Sequence, residues 1–387
     1  MLRKDLIQSW VDQTPASLEG VAIELEHTLD VRDAPRTPIF IHFGASKTGS
    51  TAFQHFLDTH RGELWNQGYW APEVGIARQE HSDYKQAGHA GFARLGRTGE
   101  NTELLNHLAE GMTLGQGHLK GVILSSEVFF LWPESAQLVA MLAPHPVTLI
   151  GHLRPFDLWA EAQYAESVAG GATARVSLTF QDWLAQSRTK LRMNYADMLD
   201  QWQAAGATVD VGVYDRSLFP NGDVIDDLLT RIGIPLLWTH SNDRLNHFAL
   251  HAGHVDLIRP INALPWQSQG RYLKAMARIH ARIGSMRANK PRLPLVFMAP
   301  HKRAALLGKL QGQHERLAAA YGVAFPALDA PDFPGFPPIA RNEANVILQE
   351  CLKGLAEKKA KKAPAAATKA APIDEASEAQ PKTADGA

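Results

Sequence analysis

Cysteine is nearly missing from this chain. Cys351 is alone among 387 residues, which excludes an intramolecular disulfide and fits a reducing compartment. Long apolar runs are missing too. The opening MLRKDLIQSWVDQ holds no stretch of signal-peptide length, and nothing further along approaches the length that crosses a bilayer. Neither sign of charge dominates: the formal net charge is −1, so no overall field draws the chain to nucleic acid or to an anionic membrane. Together these absences predict a soluble, cytoplasmic protein with no transmembrane segment and no nucleic-acid partner. The composition that is present, 45% hydrophobic and 20% charged, is ordinary for a folded protein. The length allows one large α/β domain or two ordinary ones.

Along the chain, residues 1–36 read as a helical extension that ends in the charged, proline-containing linker VRDAPRTP. From Pro38 the pattern changes. Four short apolar runs, Ile39–Phe43, Gly121–Leu124, Val147–Leu153 and Val209–Val213, read as buried strands. Helices are predicted near Thr51–Thr59, Glu134–Leu142, Phe156–Ala169 and Asp223–Ile232. Alternating strands and helices imply an α/β fold with a parallel sheet between two helical layers. Residues 58–120, rich in glycine and polar side chains, are expected to be irregular, and 244–320 mostly helical. From Lys353 the chain turns to Ala, Lys, Pro, Glu and Thr, the composition of a disordered tail. The predicted organisation is therefore an extension (1–36), one α/β domain (37–352) and a tail (353–387).

The segment PIFIHFGASKTGSTAFQHFL sets a buried strand before a glycine-rich turn and an amphipathic helix after it, with Phe53, Phe56 and Leu57 on the apolar face. Between Gly44 and Thr51 the turn can aim several backbone N–H groups at one point, and the helix N-terminus adds positive potential. Ser46, Lys47, Thr48, Gly49, Ser50 and Thr51 contribute a charge, hydroxyls and a tight turn. A nucleoside-triphosphate loop ends in Gly-Lys-Ser/Thr, whereas here Lys47 precedes Thr48-Gly49. GASKTGST resembles instead the phosphosulfate loop of the sulfotransferases that use 3′-phosphoadenosine 5′-phosphosulfate (PAPS). The resemblance implies a three-layer P-loop-type sheet in a single domain, PAPS as co-substrate and no metal. In that family the lysine, here Lys47, contacts the oxygen that bridges phosphate and sulfate.

A second stretch, HLRPFDLWAEAQYAESV, is similar to the family's 3′-phosphate motif, an Arg followed by a Ser and then a Tyr. Arg154 and Tyr164 fit it, and Ala162 stands where the serine is expected. At a strand's carboxyl end Arg154 lies where open α/β sheets bind ligands, and its fork suits phosphate. The plainer alternative is a salt bridge with Asp157. GVILSSEVFFLWP brings Glu127 to the same edge. A carboxylate there can deprotonate an acceptor hydroxyl, and it can also cap the segment that follows. His89, in AGHAGFA, is the alternative base, and the Lys-x-His segment of the steroid and phenol enzymes is absent. The implied reaction is sulfuryl transfer from PAPS to a hydroxyl or amine of a small-molecule, carbohydrate or lipid acceptor. A nucleotide-binding pseudoenzyme, a P-loop kinase, and an interaction protein working through the KKAKK tail are the competing readings. HFALHAGH places His247 and His251 one helical turn apart, with His254 beyond; the protease motif needs Glu where Phe248 stands. Trp65, Trp70 and Trp132 are candidates to contact an acceptor.

Overall fold

The computed structural model describes residues 30–45, 48–76, 88–169, 175–236, 250–288, 290, 295–325 and 339–356. Ser46, Lys47, His247, most of the expected N-terminal extension and the tail from residue 357 lie outside the described residues.

Five strands form one sheet: β1 (Ile39–Gly44), β2 (Tyr69–Trp70), β3 (Gly121–Ser126), β4 (Val147–Leu153) and β5 (Thr208–Val213). Their order is β2-β3-β1-β4-β5, and every pairing is parallel. The expected α/β architecture is the observed one. Alternation along the strands explains the layers. Ile39, Ile41, Phe43, Val122, Leu124 and Leu149 point to one face, where Phe92, Leu95, Leu108 and Trp202 cover them. Ile123 and Ile150 point to the other, against Phe53, Phe56 and Leu57 of helix Ser50–Thr59 and Leu228, Leu229 and Ile232 of helix Val224–Ile232.

Helix Phe156–Ala169 has the expected bounds, and Asp223 caps helix Val224–Ile232 by accepting from the Ile225 N–H at 2.8 Å. The stretch expected as helix Glu134–Leu142 is instead a 3-10 turn, Pro133–Gln137, running into helix Leu138–Met141. Residues 58–120 are not irregular throughout, contrary to the expectation. They contain helices Arg61–Asn66, Ala90–Thr98 and Glu103–Leu114 as well as β2. Several of the glycines that suggested loops here serve close packing. A side chain on Gly111 would meet Trp70 at 2.0 Å. Trp65 and Trp70 are themselves core residues. The predicted boundary at 352/353 falls inside the last described helix, Arg341–Ala356. Among the described residues no helix is long and apolar enough to cross a membrane.

The helix that follows β4 is anchored from beneath by a buried ion cluster. Arg303 donates to Asp157, and its other nitrogen bonds both oxygens of Glu161 at 2.9 and 3.0 Å. Glu161 also accepts from the N–H groups of Phe297 (2.8 Å) and Met298 (3.1 Å). Burial pushes the Glu161 carboxyl upward, and these donors oppose that shift. Such a cluster adds little net stability when intact but is expensive to break. Replacing Arg303 with Ala strands two buried carboxylates. The expected loss is about 3–5 kcal/mol in the urea unfolding free energy, larger than for an exposed arginine such as Arg316.

Candidate functional site

β1 is central, and its register with β3 and β4 assembles the candidate site. Phe43 pairs with Ser126, and Gly44 with His152. One residue beyond Ser126 is Glu127, and two beyond His152 is Arg154. The carboxyl ends of three adjacent parallel strands thus bring Gly44, Glu127 and Arg154 to one edge of the sheet.

Past Gly44 the chain turns sharply. The Thr48 N–H reaches the Ala45 carbonyl at 3.1 Å, and the Thr48 hydroxyl donates to the same oxygen at 2.5 Å. That hydroxyl is therefore spent on the turn. Gly49 sits in the left-handed region (φ 85°, ψ 9°), and a side chain there would strike Val224 Cγ1 at 2.7 Å. Ser50 opens the helix, with no side chain capping its N-terminus. First-turn N–H groups have no partner in the helix's own ladder, so this end suits an anion. Thr51 is exposed beside it.

Ser50, which is buried, donates its hydroxyl to Glu127 Oε1 at 2.5 Å. Gly44 makes this contact possible: a β-carbon on it would lie 2.1 Å from Ser50 Cβ and 3.2 Å from Glu127 Cγ. Glu127 begins the short helix Val128–Leu131, but its side chain makes no cap bond there. Ser126 does that work, its Oγ accepting from the Val128 N–H at 3.2 Å. The capping role open to Glu127 in the sequence belongs to its neighbour, while its carboxylate meets Ser50 at the start of helix Ser50–Thr59.

Arg154 is half-buried, and burial lowers its guanidinium's proton affinity against the pull of Tyr214, Tyr195, Asp157 and Glu161. Asp157, the ion-pair partner suggested by spacing, is held by Arg303. The motif's tyrosine, Tyr164, donates its hydroxyl to the Leu178 carbonyl at 2.8 Å, and its ring packs among Phe180, Trp183 and Phe297. Ala162 is buried.

His89 is a fastener in this structure. Its Nδ1 accepts from the Ser125 N–H at 3.0 Å, so the ring proton is on Nε2, which donates to the Pro72 carbonyl at 2.7 Å. Its own N–H reaches the Ser125 carbonyl at 2.7 Å. The ring keeps no lone pair with which to take an acceptor's proton.

Beneath the turn lies a polar layer that sequence reasoning passed over. His42 Nδ1 bonds Ser125 Oγ at 2.7 Å, and its ring meets Phe53 edge-on. His152 Nε2 bonds Asp227 Oδ2 at 2.7 Å, and Arg231 Nε reaches the same oxygen at 2.6 Å. The available signal was two histidines at sheet positions otherwise filled by apolar residues.

Among the described residues, one group offers three metal-type donors within 4.8 Å of one another: His251, His254 and Glu343. His254 Nε2 bonds Glu343 Oε2 at 2.9 Å, and Arg287 bonds Oε1 at 3.2 Å. His251 Nδ1 accepts from the Gly253 N–H at 3.1 Å, which puts the proton on Nε2. In that tautomer Nε2 presents a donor where a metal needs a lone pair. The cluster reads as a buried hydrogen bond joining helices Ala252–Ile261 and Arg341–Ala356, with Arg287 supplying the charge opposite Glu343.

Comparison with known proteins adds little. No family model matches the chain. An uncharacterized protein of Archaeoglobus fulgidus is 32% identical over 93 residues, 23% of this chain and 23% of that protein, so the match spans about a quarter of the relative's length. A sulfotransferase structure from Alicyclobacillus acidocaldarius covers 75% of this chain and 98% of its own at 16% identity, with a TM-score of 0.40. At that score the likeness bears no weight on function.

Two outcomes follow from this geometry. Gly44→Ala forces Ser50 and Glu127 apart, so the variant is expected to lose about 1–3 kcal/mol in urea melts, with any nucleotide binding lost alongside. Burial holds the His42 imidazole down to about 3 and His89 and His251 to about 4, against an ordinary value of 6.5. Between those values the unfolded chain binds more protons than the native one. Stability is therefore full above about pH 6.5 and drains as pH falls, by at most about 1.4 kcal/mol per pH unit for each ring. Urea midpoints at about pH 7 and pH 5 measure the slope, and His89→Gln should remove that ring's share of it.

Proposed function

We propose that this chain is a PAPS-dependent sulfotransferase that moves a sulfuryl group to a hydroxyl or amine of a small-molecule, carbohydrate or lipid acceptor. The observation that carries the reading is the meeting, at one edge of three parallel strands, of an uncapped helix N-terminus, Glu127 and Arg154. The Lys47-Thr48-Gly49-Ser50-Thr51 run adds the sequence likeness.

In this reading the 5′-phosphate sits against the turn, where backbone N–H groups and the hydroxyls of Ser50 and Thr51 receive it. Lys47 neutralises the charge that grows on the departing phosphate. Arg154 takes the 3′-phosphate, since a guanidinium whose charge burial disfavours gains from a fork-matched dianion. Glu127 accepts the acceptor's proton. His89, with both ring nitrogens committed, is replaced as a candidate base by Glu127 alone.

The Ser50–Glu127 contact also favours a second reading. A loop hydroxyl beside a carboxylate from the adjacent strand is how nucleoside-triphosphate loops hold Mg²⁺. The position of Lys47 weighs against it. Stabilisation by ATP that depends on Mg²⁺ would favour the kinase reading.

The deciding experiment is calorimetric titration with 3′-phosphoadenosine 5′-phosphate (PAP). Wild type should bind it, and Lys47→Ala and Arg154→Ala should each weaken binding by about tenfold to a hundredfold, the value of one charge-assisted contact. Glu127→Gln should keep binding and lose about 10²–10⁴ in turnover once an acceptor is in hand. Absence of wild-type binding would sink the proposal.

A further inference from the structure

A serine hydroxyl has one proton to donate. Here Ser50 gives it to Glu127 Oε1. Yet Ser50 is also the first residue of the helix whose open N-terminus suits an anion, and its side chain is buried within the turn. It cannot donate to a bound phosphate and to Glu127 at once.

We propose that arrival of the donor nucleotide transfers the Ser50 hydrogen bond from Glu127 to the 5′-phosphate, and so strengthens Glu127 as a base only when that phosphate is in place. The inference rests on the PAPS reading above. Gly44 makes the coupling tight: its bare α-carbon lets Ser50 Cβ and Glu127 Cγ close over the end of β1, so a change at one is felt at the other. Loss of a hydrogen bond to its charged form makes a carboxylate hold a proton more firmly, and an incoming dianion acts in the same direction. Before the donor binds, the Glu127 carboxylate accepts the Ser50 hydroxyl. Afterwards it is a stronger base beside the sulfur.

The transfer step then balances. The acceptor oxygen or nitrogen forms a bond to sulfur while its proton passes to Glu127. The bond between sulfur and the bridging oxygen breaks, and its electron pair stays on the phosphate of PAP. Glu127 returns the proton to solvent. Donor and acceptor thereby acquire an order, because an acceptor that arrives first meets a weaker base.

Carboxylate vibrations test this without knowledge of the acceptor. PAP contains no carboxylate, so carboxylate bands in the infrared difference spectrum between free and PAP-saturated full-length protein come from the chain. The expected result is a shifted antisymmetric stretch in wild type that is lost in Glu127→Gln, lost or strongly reduced in Ser50→Ala, and restored in Ser50→Thr, with occupancy confirmed by calorimetry in each case. A shift in Ser50→Ala equal to that of wild type would assign the effect to the phosphate charge and overturn the hydroxyl exchange. PAP binding to wild type with no band assigned to Glu127 would overturn the inference and leave the nucleotide reading standing. Failure of wild type to bind PAP removes both. If Ser50→Ala does not fold, Ser50→Cys replaces it, its weak thiol donor giving a smaller shift than wild type.

Discussion

Ser50 and Glu127 meet over the α-carbon of Gly44, and the candidate site is built outward from that contact. It needs three things together. The last residue of β1 must have no side chain, since a β-carbon would sit 2.1 Å from Ser50 Cβ. Gly49 must turn through the left-handed region, so that the helix starts directly above the strand. Finally, β3 must lie parallel to β1 in a register that places Ser126 beside Phe43, which carries Glu127 to the level of the turn. The first two requirements are met within a few residues. The third depends on a strand far along the chain.

Around this contact the protein spends polar side chains on position. His89 ties the end of β3 to Pro72 and the helix that follows, His42 braces Ser125 from below, and the Arg303 cluster fixes the start of the helix that carries Arg154's strand onward. Buried polar groups and charges of this kind contribute little net stability. What they provide is geometry: each donor has one place to go, so the strand ends cannot slide relative to one another. Sites that must hold several groups at short range depend on such support.

Much of the fold was legible because its signals are local. Val147–Leu153 is a mostly apolar run followed by Arg154-Pro155, and both the strand and helix Phe156–Ala169 are observed with the bounds that the pattern predicts. β2 escaped notice because two residues, Tyr69 and Trp70, carry no periodicity. Helices Ala90–Thr98 and Glu103–Leu114 were hidden by their glycines. Gly96 and Gly111 read as loop signals, whereas in the structure they let backbone approach Ser135 and the Trp70 ring. At the site, the turn and the residues following β3 and β4 could be picked out from strand ends alone. The bond between Ser50 and Glu127 could not, since it depends on register. Neither could the closed hydrogen bonding of His89, because a histidine in a glycine-rich segment looks the same whether it faces solvent or a backbone carbonyl.

The parallel order of the sheet has a consequence for how the protein is made. β1 lies at its centre, yet its partners β3 and β4 come from residues 121–126 and 147–153. Parallel pairings close long loops before any ladder bond rewards them, which makes them late and slow events in folding. A nascent chain that has just exposed Gly49 and Ser50 has a turn with no carboxylate above it and no arginine beside it. It acquires them only after β3 and β4 have emerged and docked on either side. Until then β1 carries two open edges, and the same strand that later centres the site needs shielding from other chains.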